Sequence, residues 1–528
     1  MLSILKSIAI FASHKRQRMR PRSGLDSRAV LFLAGLWRTA LMLKSPLVHR
    51  SLARIPSRAA FVFLVLHASG ALAQSAPASS DHPWHAPAEQ KIEADAKHLR
   101  DARFNIDPQK TYSLPELVDL AEVHNPQTHV AWERARAQAA TLGIARSELY
   151  PTLAALVLSQ TARVEILFGD QFVRQTLQDF QTELDLSYTI FDFGARSGRI
   201  DAAKAGLLAA NFAFNDTHRN VIYQVEEAYY RLLNATGQED AARASLANAQ
   251  AVQQAAEDRL ANGLATLPDV LEARSATAQS DYALQAVLGT EEIARGDLAR
   301  AIGTSATTLI HVQPLDHLTM PDSVGESAEQ AINRALEHRP DLLQQVAQIR
   351  SANARLKEAR AVYYPRLTVD ASPAPQYWYG LQQPNAWAQT GDLGGAVTFQ
   401  LQWTVFDGGA RKSRVAQAKA DARAAEAQVD ATLDQVADEV WTAYSNLKTA
   451  FRQRQASLAF LAAASQSYSA ALESYNYGVR SLLDVTQAQQ TLAQARSADV
   501  FARTRVFTAF AELAFRTADS IRPGTTRP

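Results

Sequence analysis

The chain repeats itself at a constant distance. Asn125-Pro126 returns as Arg339-Pro340, and Tyr150-Pro151 returns as Tyr364-Pro365, both 214 positions later. Phe191-Asp192-Phe193-Gly194-Ala195-Arg196 returns as Phe406-Asp407-Gly408-Gly409-Ala410-Arg411. Val221, Val225, Ala228, Tyr229 and Leu232 return as Val436, Val440, Ala443, Tyr444 and Leu447. Gly263, Asp269, Val270 and Ala273 return as Gly478, Asp484, Val485 and Ala488. These later pairs stand 215 apart. A fixed offset of this kind means two copies of one unit of about 200 residues. Each copy predicts the same order: a helix (114–149 and 327–363), an extended region, a very long helix, a Gly turn and a second long helix.

Two periodicities fix what the unit is made of. Between Ala410 and Tyr477 there is neither Gly nor Pro. There Leu433, Val436, Val440, Ala443, Leu447 and Ala450 step by three and four, as Leu246, Ala249, Gln253, Ala256 and Leu260 do in the first copy. That is coiled-coil spacing with small knobs. At 1.5 Å per residue it predicts a rod of about 100 Å, which a globular core cannot use.

The extended regions alternate instead. Leu184, Leu186, Tyr188 and Ile190 face one side, and Glu183, Asp185, Ser187 and Thr189 the other. Val397, Phe399, Leu401, Trp403 and Val405 alternate with Thr398, Gln400, Gln402 and Thr404, and Leu367, Val369 and Ala371 with Thr368, Asp370 and Ser372. Period two gives a sheet with one apolar face and one polar face. The spans read as about 9–11 residues, enough to cross a bilayer. Tyr377, Trp378, Tyr379 and Trp387 fall at the expected tip of the second hairpin, as interfacial aromatics or as turn and sheet-packing residues. The Gly391–Gly395 run reads as a turn. Four strands cannot close a barrel, and an open edge is not tolerated in lipid. Transmembrane strands of this kind require several chains to share one barrel, with the polar faces lining a water-filled pore.

The N-terminal region reads as an address. Lys44, Arg50, Arg54 and Arg58 precede the apolar run Ala59–Leu66 and the cleavage pattern Ala71-Leu72-Ala73. This is the pattern of a secretory signal. Residues 1–73 hold 12 basic residues and one acid, leaving 42 basic and 52 acidic residues in the rest. A basic nucleic-acid surface is therefore not expected, and nucleic acid is not among the expected partners. The sequence has no Cys. That excludes disulfides, thiolate metal sites, cysteine catalysis and an N-terminal lipid on Cys, so anchoring is expected from the barrel alone.

The expected organisation is an upstream extension over 1–41 (with Met42 as an alternative start), a signal peptide over 42–73 and a flexible periplasmic linker over 74–110. Repeat one follows over 111–310, a connector over 311–326, repeat two over 327–520 and a tail over 521–528. No catalytic constellation is present. The 12 His residues lack ligand spacing, and no phosphate-binding or nucleophile-elbow motif occurs. No cofactor, metal or enzymatic activity is expected.

Taken in order, these residues resemble the TolC-type outer-membrane efflux protein family over nearly all of Tyr112–Ala518. The resemblance rests on the duplication, Asn125-Pro126, the Tyr-Pro pairs before the strands and Phe-Asp-x-Gly after them. It rests above all on two tips, Arg259-Leu-Ala-Asn-Gly263-Leu-Ala-Thr-Leu-Pro-Asp269-Val and Tyr475-Asn-Tyr-Gly478-Val-Arg480-Ser-Leu-Leu-Asp484-Val. It implies a mixed α+β membrane protein: a homotrimer with a 12-stranded outer-membrane β-barrel, four strands per chain, continued by a long periplasmic α-helical coiled-coil barrel. It also implies the partners: outer-membrane lipid, a periplasmic adaptor, and a proton-driven or ATP-driven inner-membrane transporter. The implied function is the exit duct of a tripartite efflux pump. The alternatives are the duct of a type I protein secretion system and, in a different class, a periplasmic coiled-coil scaffold.

At the tips, Gly263 and Gly478 read as helix stops, and Thr266-x-x-Asp269 and Ser481-x-x-Asp484 as capping boxes opening the return helices. Pro268 sits where a missing N–H costs little. By match to the family's tips, Asp269, Tyr475 and Arg480 are implied as gate links between neighbouring coiled coils. Asp484 is implied as an ion ring at the narrowed end. Where better-known members carry a second Asp one turn further on, this chain has Gln487. Asn262-Gly263-Leu264 and Tyr477-Gly478-Val479 match the segments that meet the adaptor.

Overall fold

The computed structural model describes residues 89–101, 104, 106–320, 325–382 and 387–519. The expected signal peptide, upstream extension and tail fall outside the described residues. The chain divides into two units, Met1–His98 and Leu99–Pro528. The first contributes residues 89–98 of a helix, α1 (Glu89–Asp101), within the stretch expected to be a flexible linker.

In the second unit β1 (Thr111–Tyr112) leads into α2 (Leu114–His124), α3 (Pro126–Ser147), β2 (Thr152–Phe168), β3 (Gln171–Phe191), α4 (Ala195–Ala261) and α5 (Leu267–Ile302). After β4 (His311–Val312), which pairs in parallel with β1, come α6 (Ala328–His338), α7 (Pro340–Ala361), β5 (Arg366–Gln382) and β6 (Trp387–Gln402). The chain then runs through α8 (Ala410–Asn476) and α9 (Leu482–Arg516). The element series from α2 to α5 thus recurs from α6 to α9.

The single first helix of each copy is two helices. The chain breaks at Asn125 and Arg339, both extended (ψ 125 and 124), because the following Pro disfavours the helical region for the residue before it. Pro then serves as the first residue of the next helix. Asn125 caps through Oδ1, which accepts from Gln127 N at 2.8 Å, while its Nδ2 donates to Ala301 O at 2.8 Å. Arg339 cannot cap, and Asp341 Oδ1 accepts from Leu342 N instead.

The long helices have 67 residues each and their return helices 36 and 35. Val436, Val440, Ala443, Leu447 and Ala450 lie in one buried cluster with Val506 and Ala509 of α9. The duplicate positions of α4, Val221, Val225, Ala228, Leu232 and Ala235, lie in another buried cluster, and Ala249 and Ala256 are buried further along the same helix. Gly198 lies against Glu358 and Ala354 of α7, where an added Cβ would come within 2.8 Å of the Glu358 backbone N.

The sheet has the order β2-β3-β5-β6, all antiparallel, with β2 and β6 as open edges. Its strands are longer than expected, at 17, 21, 17 and 16 residues. The Gly391–Gly395 run is a correction: it lies inside β6, opposite Pro373 and Pro375 of β5. A Cβ on Gly395 would stand 3.3 Å from Pro373 Cα, so glycine admits the close strand. The β3–β5 pairing lapses between Gln181 and Leu186, alongside the same two prolines, which lack the N–H a ladder needs.

Candidate functional site

Both hairpin tips are built by the same local chemistry. At the first, Gly263 has φ +72, Leu264 N donates to Arg259 O at 2.8 Å and Gly263 N donates to Leu260 O at 2.9 Å. At the second, Gly478 has φ +77, Val479 N donates to Ser474 O and Gly478 N to Tyr475 O, each at 2.9 Å. These paired bonds close the end of each long helix and require a left-handed residue, which glycine adopts at no steric cost. The return helices open on the expected boxes. Thr266 N and Oγ1 donate to Asp269 Oδ2 at 2.8 and 2.7 Å, and Ser481 N and Oγ donate to Asp484 Oδ2 at 3.1 and 2.9 Å. The hydroxyl and the backbone N–H hold both carboxyls below the ordinary Asp value, with a further contribution from the charges of Arg259 and Arg480 respectively.

Asp484 and Gln487 lie one turn apart on the exposed face of α9, opposite buried Val485, Thr486 and Gln489. Arg480 is exposed in the turn and forms no ion pair among the described residues. Asp269, Tyr475 and Arg480 do not bond to one another within a chain. Asp269 is held by Thr266, and Tyr475 Oη is buried without a hydrogen-bond partner. The residue beside Tyr475 is Arg259, which sequence reasoning left without a role. Its guanidinium lies over the Tyr475 ring at 4.7 Å from the centroid. It donates to Tyr475 O at 3.0 Å and Asn476 O at 3.1 Å. The segments around Gly263 and Gly478 carry exposed apolar side chains: Leu264 is 67% exposed, Tyr477 84% and Val479 79%.

At the other end of the long helices, the Phe-Asp-x-Gly-Ala-Arg repeats make the junction with the sheet. Asp192 Oδ2 accepts from Arg196 N and Nε at 2.9 and 3.1 Å, and Asp407 does the same for Arg411 at 2.9 and 3.0 Å. Gly194 and Gly409 at φ +95 and +91 turn the strand into the helix. Arg196 also donates to Glu148 O and Ile190 O, each at 3.2 Å, so one guanidinium ties strand end, helix start and α3 together. The signal for this was present in the sequence, an Asp and an Arg four apart in both copies.

Beneath the polar face of the sheet is a hollow of about 460 Å³, lined by Thr152, Ser187, Thr189, Gln402, Arg196 and Arg199 among others. Ser187 Oγ donates to Asp370 Oδ1 at 2.6 Å across β3 and β5 on that face. The opposite face is apolar: Leu186 pairs with Ala371 and Leu153, and Val369 with Phe399. No helix among the described residues is long and apolar enough to cross a membrane, and no described cluster of His, Asp or Glu is placed to hold a metal. A sheet polar on one side and apolar on the other, rooted in long coiled coils, is the form of a membrane duct.

The sequence matches the model of the outer membrane efflux protein family over residues 117–304 and 331–518, and the chain belongs to that family. It is an outer-membrane efflux channel of a Gram-negative bacterium, extending into the periplasm, and its family is one of channel proteins rather than enzymes. It is 28% identical over 388 residues to protein CyaE of Bordetella pertussis, covering 74% of this chain and 80% of that one. It is 24% identical over 414 residues to outer membrane protein OprJ of Pseudomonas aeruginosa, covering 77% and 83%. Its fold is similar to that of outer membrane protein VceC of Vibrio cholerae, with a TM-score of 0.64 at 20% identity over 76% of this chain and 95% of that one.

Proposed function

We propose that three copies of this duplicated chain form one exit duct, with a shared 12-stranded barrel in the outer membrane and a common coiled-coil tunnel in the periplasm. The observation that carries this is the four-stranded sheet with β2 and β6 unpaired. A row of free N–H and C=O groups in hydrocarbon costs several kcal/mol per group, and pairing β6 of one copy with β2 of the next removes it. The polar faces then surround water and the apolar faces meet lipid. At 16–21 residues the strands exceed what a bilayer needs. The exposed apolar residues Val397, Phe399, Leu401 and Trp403 belong to the end next to the helices, whereas the far end of β2 and β3 carries the exposed Arg174–Glu165 ion pair. The lipid band lies at the helix-proximal half, and the far half stands outside.

The tips form the narrowed periplasmic end. Three Asp484 carboxylates, with Gln487 a turn further in, make a ring that favours cations. Asp269, Tyr475 and Arg480 hold neighbouring coiled coils in the closed state. The exposed segments Asn262-Gly263-Leu264 and Tyr477-Gly478-Val479 receive a periplasmic adaptor, which couples the duct to an energised inner-membrane transporter. The cargo is small molecules. The test is single-channel recording of the purified protein in planar bilayers, together with its mass in detergent. A trimer that conducts, with conductance raised by Arg480→Ser, supports the assignment. A monomer that does not conduct overturns it, and conductance unchanged by Arg480→Ser removes Arg480 from the gate.

A further inference from the structure

We propose that Arg259 is the latch that ties the two hairpin tips of one chain together and sets how far the closed end can open. This rests on the gate reading of the tips but concerns a contact inside each chain and a residue to which that reading gives no part.

Arg259 sits in the last turn of α4, where its carbonyl accepts from Leu264 N. The duplicate position in the second copy is Ser474, whose carbonyl accepts from Val479 N in the same way. The turn therefore needs no arginine. The side chain instead leaves α4 and crosses to the end of α8. There Nη1 donates to Tyr475 O and Asn476 O, and the guanidinium covers the Tyr475 ring. These carbonyls belong to the last turn of a 67-residue helix, where the regular i+4 donors run out and the helix dipole favours a cation; Tyr475 O accepts from Gly478 N as well. Stacking on the ring adds a cation–π attraction, stronger where water is excluded, and Tyr475 is only 5% exposed. Arg259 Nε is buried without a partner, and Nη2 reaches Leu264 O only at 3.5 Å. The side chain's two shorter bonds are thus made to the other hairpin, and the one within its own is the longest.

Just behind this contact, Val252, Ala256 and Val270 of the first hairpin and Tyr468, Ala471 and Val485 of the second form one buried cluster. Thr486 Oγ1 also donates to Glu272 Oε1 at 3.1 Å. These hold the hairpins together behind the tip. Arg259 is the cation that carries the contact out to the tip itself, so separating the tips requires its guanidinium to leave the Tyr475 ring and both carbonyls.

The test uses the full-length protein. Arg259→Gln keeps a polar side chain but loses charge and stacking, and Arg259→Lys keeps charge without the planar fork. The expected result is a severalfold rise in resting conductance for Arg259→Gln and an intermediate rise for Arg259→Lys, which keeps the charge but not the planar fork. The chain lacks Cys, so spin labels placed by Asn262→Cys and Tyr477→Cys report tip separation directly in detergent. Arg259→Gln is expected to lengthen their distance. Wild-type conductance and wild-type label distances in Arg259→Gln overturn the latch, whether or not the melting temperature falls. A wild-type protein that does not conduct defeats the channel reading, and the label distances still decide the latch.

Discussion

The proposed gate gives two tip carboxylates a second job beside capping, and their chemistry separates the two. Asp269 and Asp484 each accept from a hydroxyl and an N–H one turn back, so each holds the start of a return helix. Their pKa values are lowered in the folded chain. The stabilisation they give is therefore complete above the unfolded value of about 3.9 and is lost as pH falls through the folded value. Thr266→Ala and Ser481→Ala, each removing a cap, should cost about 0.5–2 kcal/mol of local stability. Hydrogen exchange at 267–270 and 482–485 should quicken by the matching factor. Exchange as slow as wild type would mean that the boxes are dispensable. Asp484→Ala also tests the ring, because trivalent cations added from the periplasmic side should no longer block the pore. Undiminished block would take Asp484 out of the ion site.

Helix joints depend on contacts that no local pattern announces. Arg339, 3% exposed, donates to Asp341 at 2.6 Å and Glu439 at 2.7 Å, and Glu439 also accepts from Arg516 at 3.0 Å. Burial pushes the Asp341 carboxyl up, but bonding to Arg339 and the charge of Arg219 outweigh it and leave the group below its ordinary value. This cluster joins α7, α8 and α9. Removing one partner from a buried network leaves charge uncompensated, at about 3–5 kcal/mol. Arg339→Met should lower chemical-denaturation stability by that order. Arg516→Met should cost less, since Arg516 is 30% exposed. Equal losses would refute the burial argument.

The sequence made the tips legible because Gly followed by Ser/Thr-x-x-Asp is a local device, and the long helices legible because nothing interrupts their small-residue seam. The breaks at Asn125 and Arg339 were less so, because the residues on both sides are helix formers and only the Pro marks the joint. Strand length escaped because Gly391–Gly395 and Pro373 suit turns unless placed opposite one another. Arg259 escaped because its partner is 216 residues away.

For the whole molecule, the decisive asymmetry is between neighbouring residues of one edge strand. Phe399 of β6 stands 69% exposed on the apolar face, paired with Val369, while Gln400, paired with Thr368, points to the other side. A chain alone in water has no reason to distinguish them. A shared barrel distinguishes them sharply, because one meets lipid and the other the pore. Phe399→Arg should cost about 2–4 kcal/mol if it lies near the bilayer midplane. It should reduce the protein recovered in the outer membrane after alkaline wash. Gln400→Arg should leave recovery intact and shift the channel's ion selectivity toward anions, measured as reversal potential in a salt gradient.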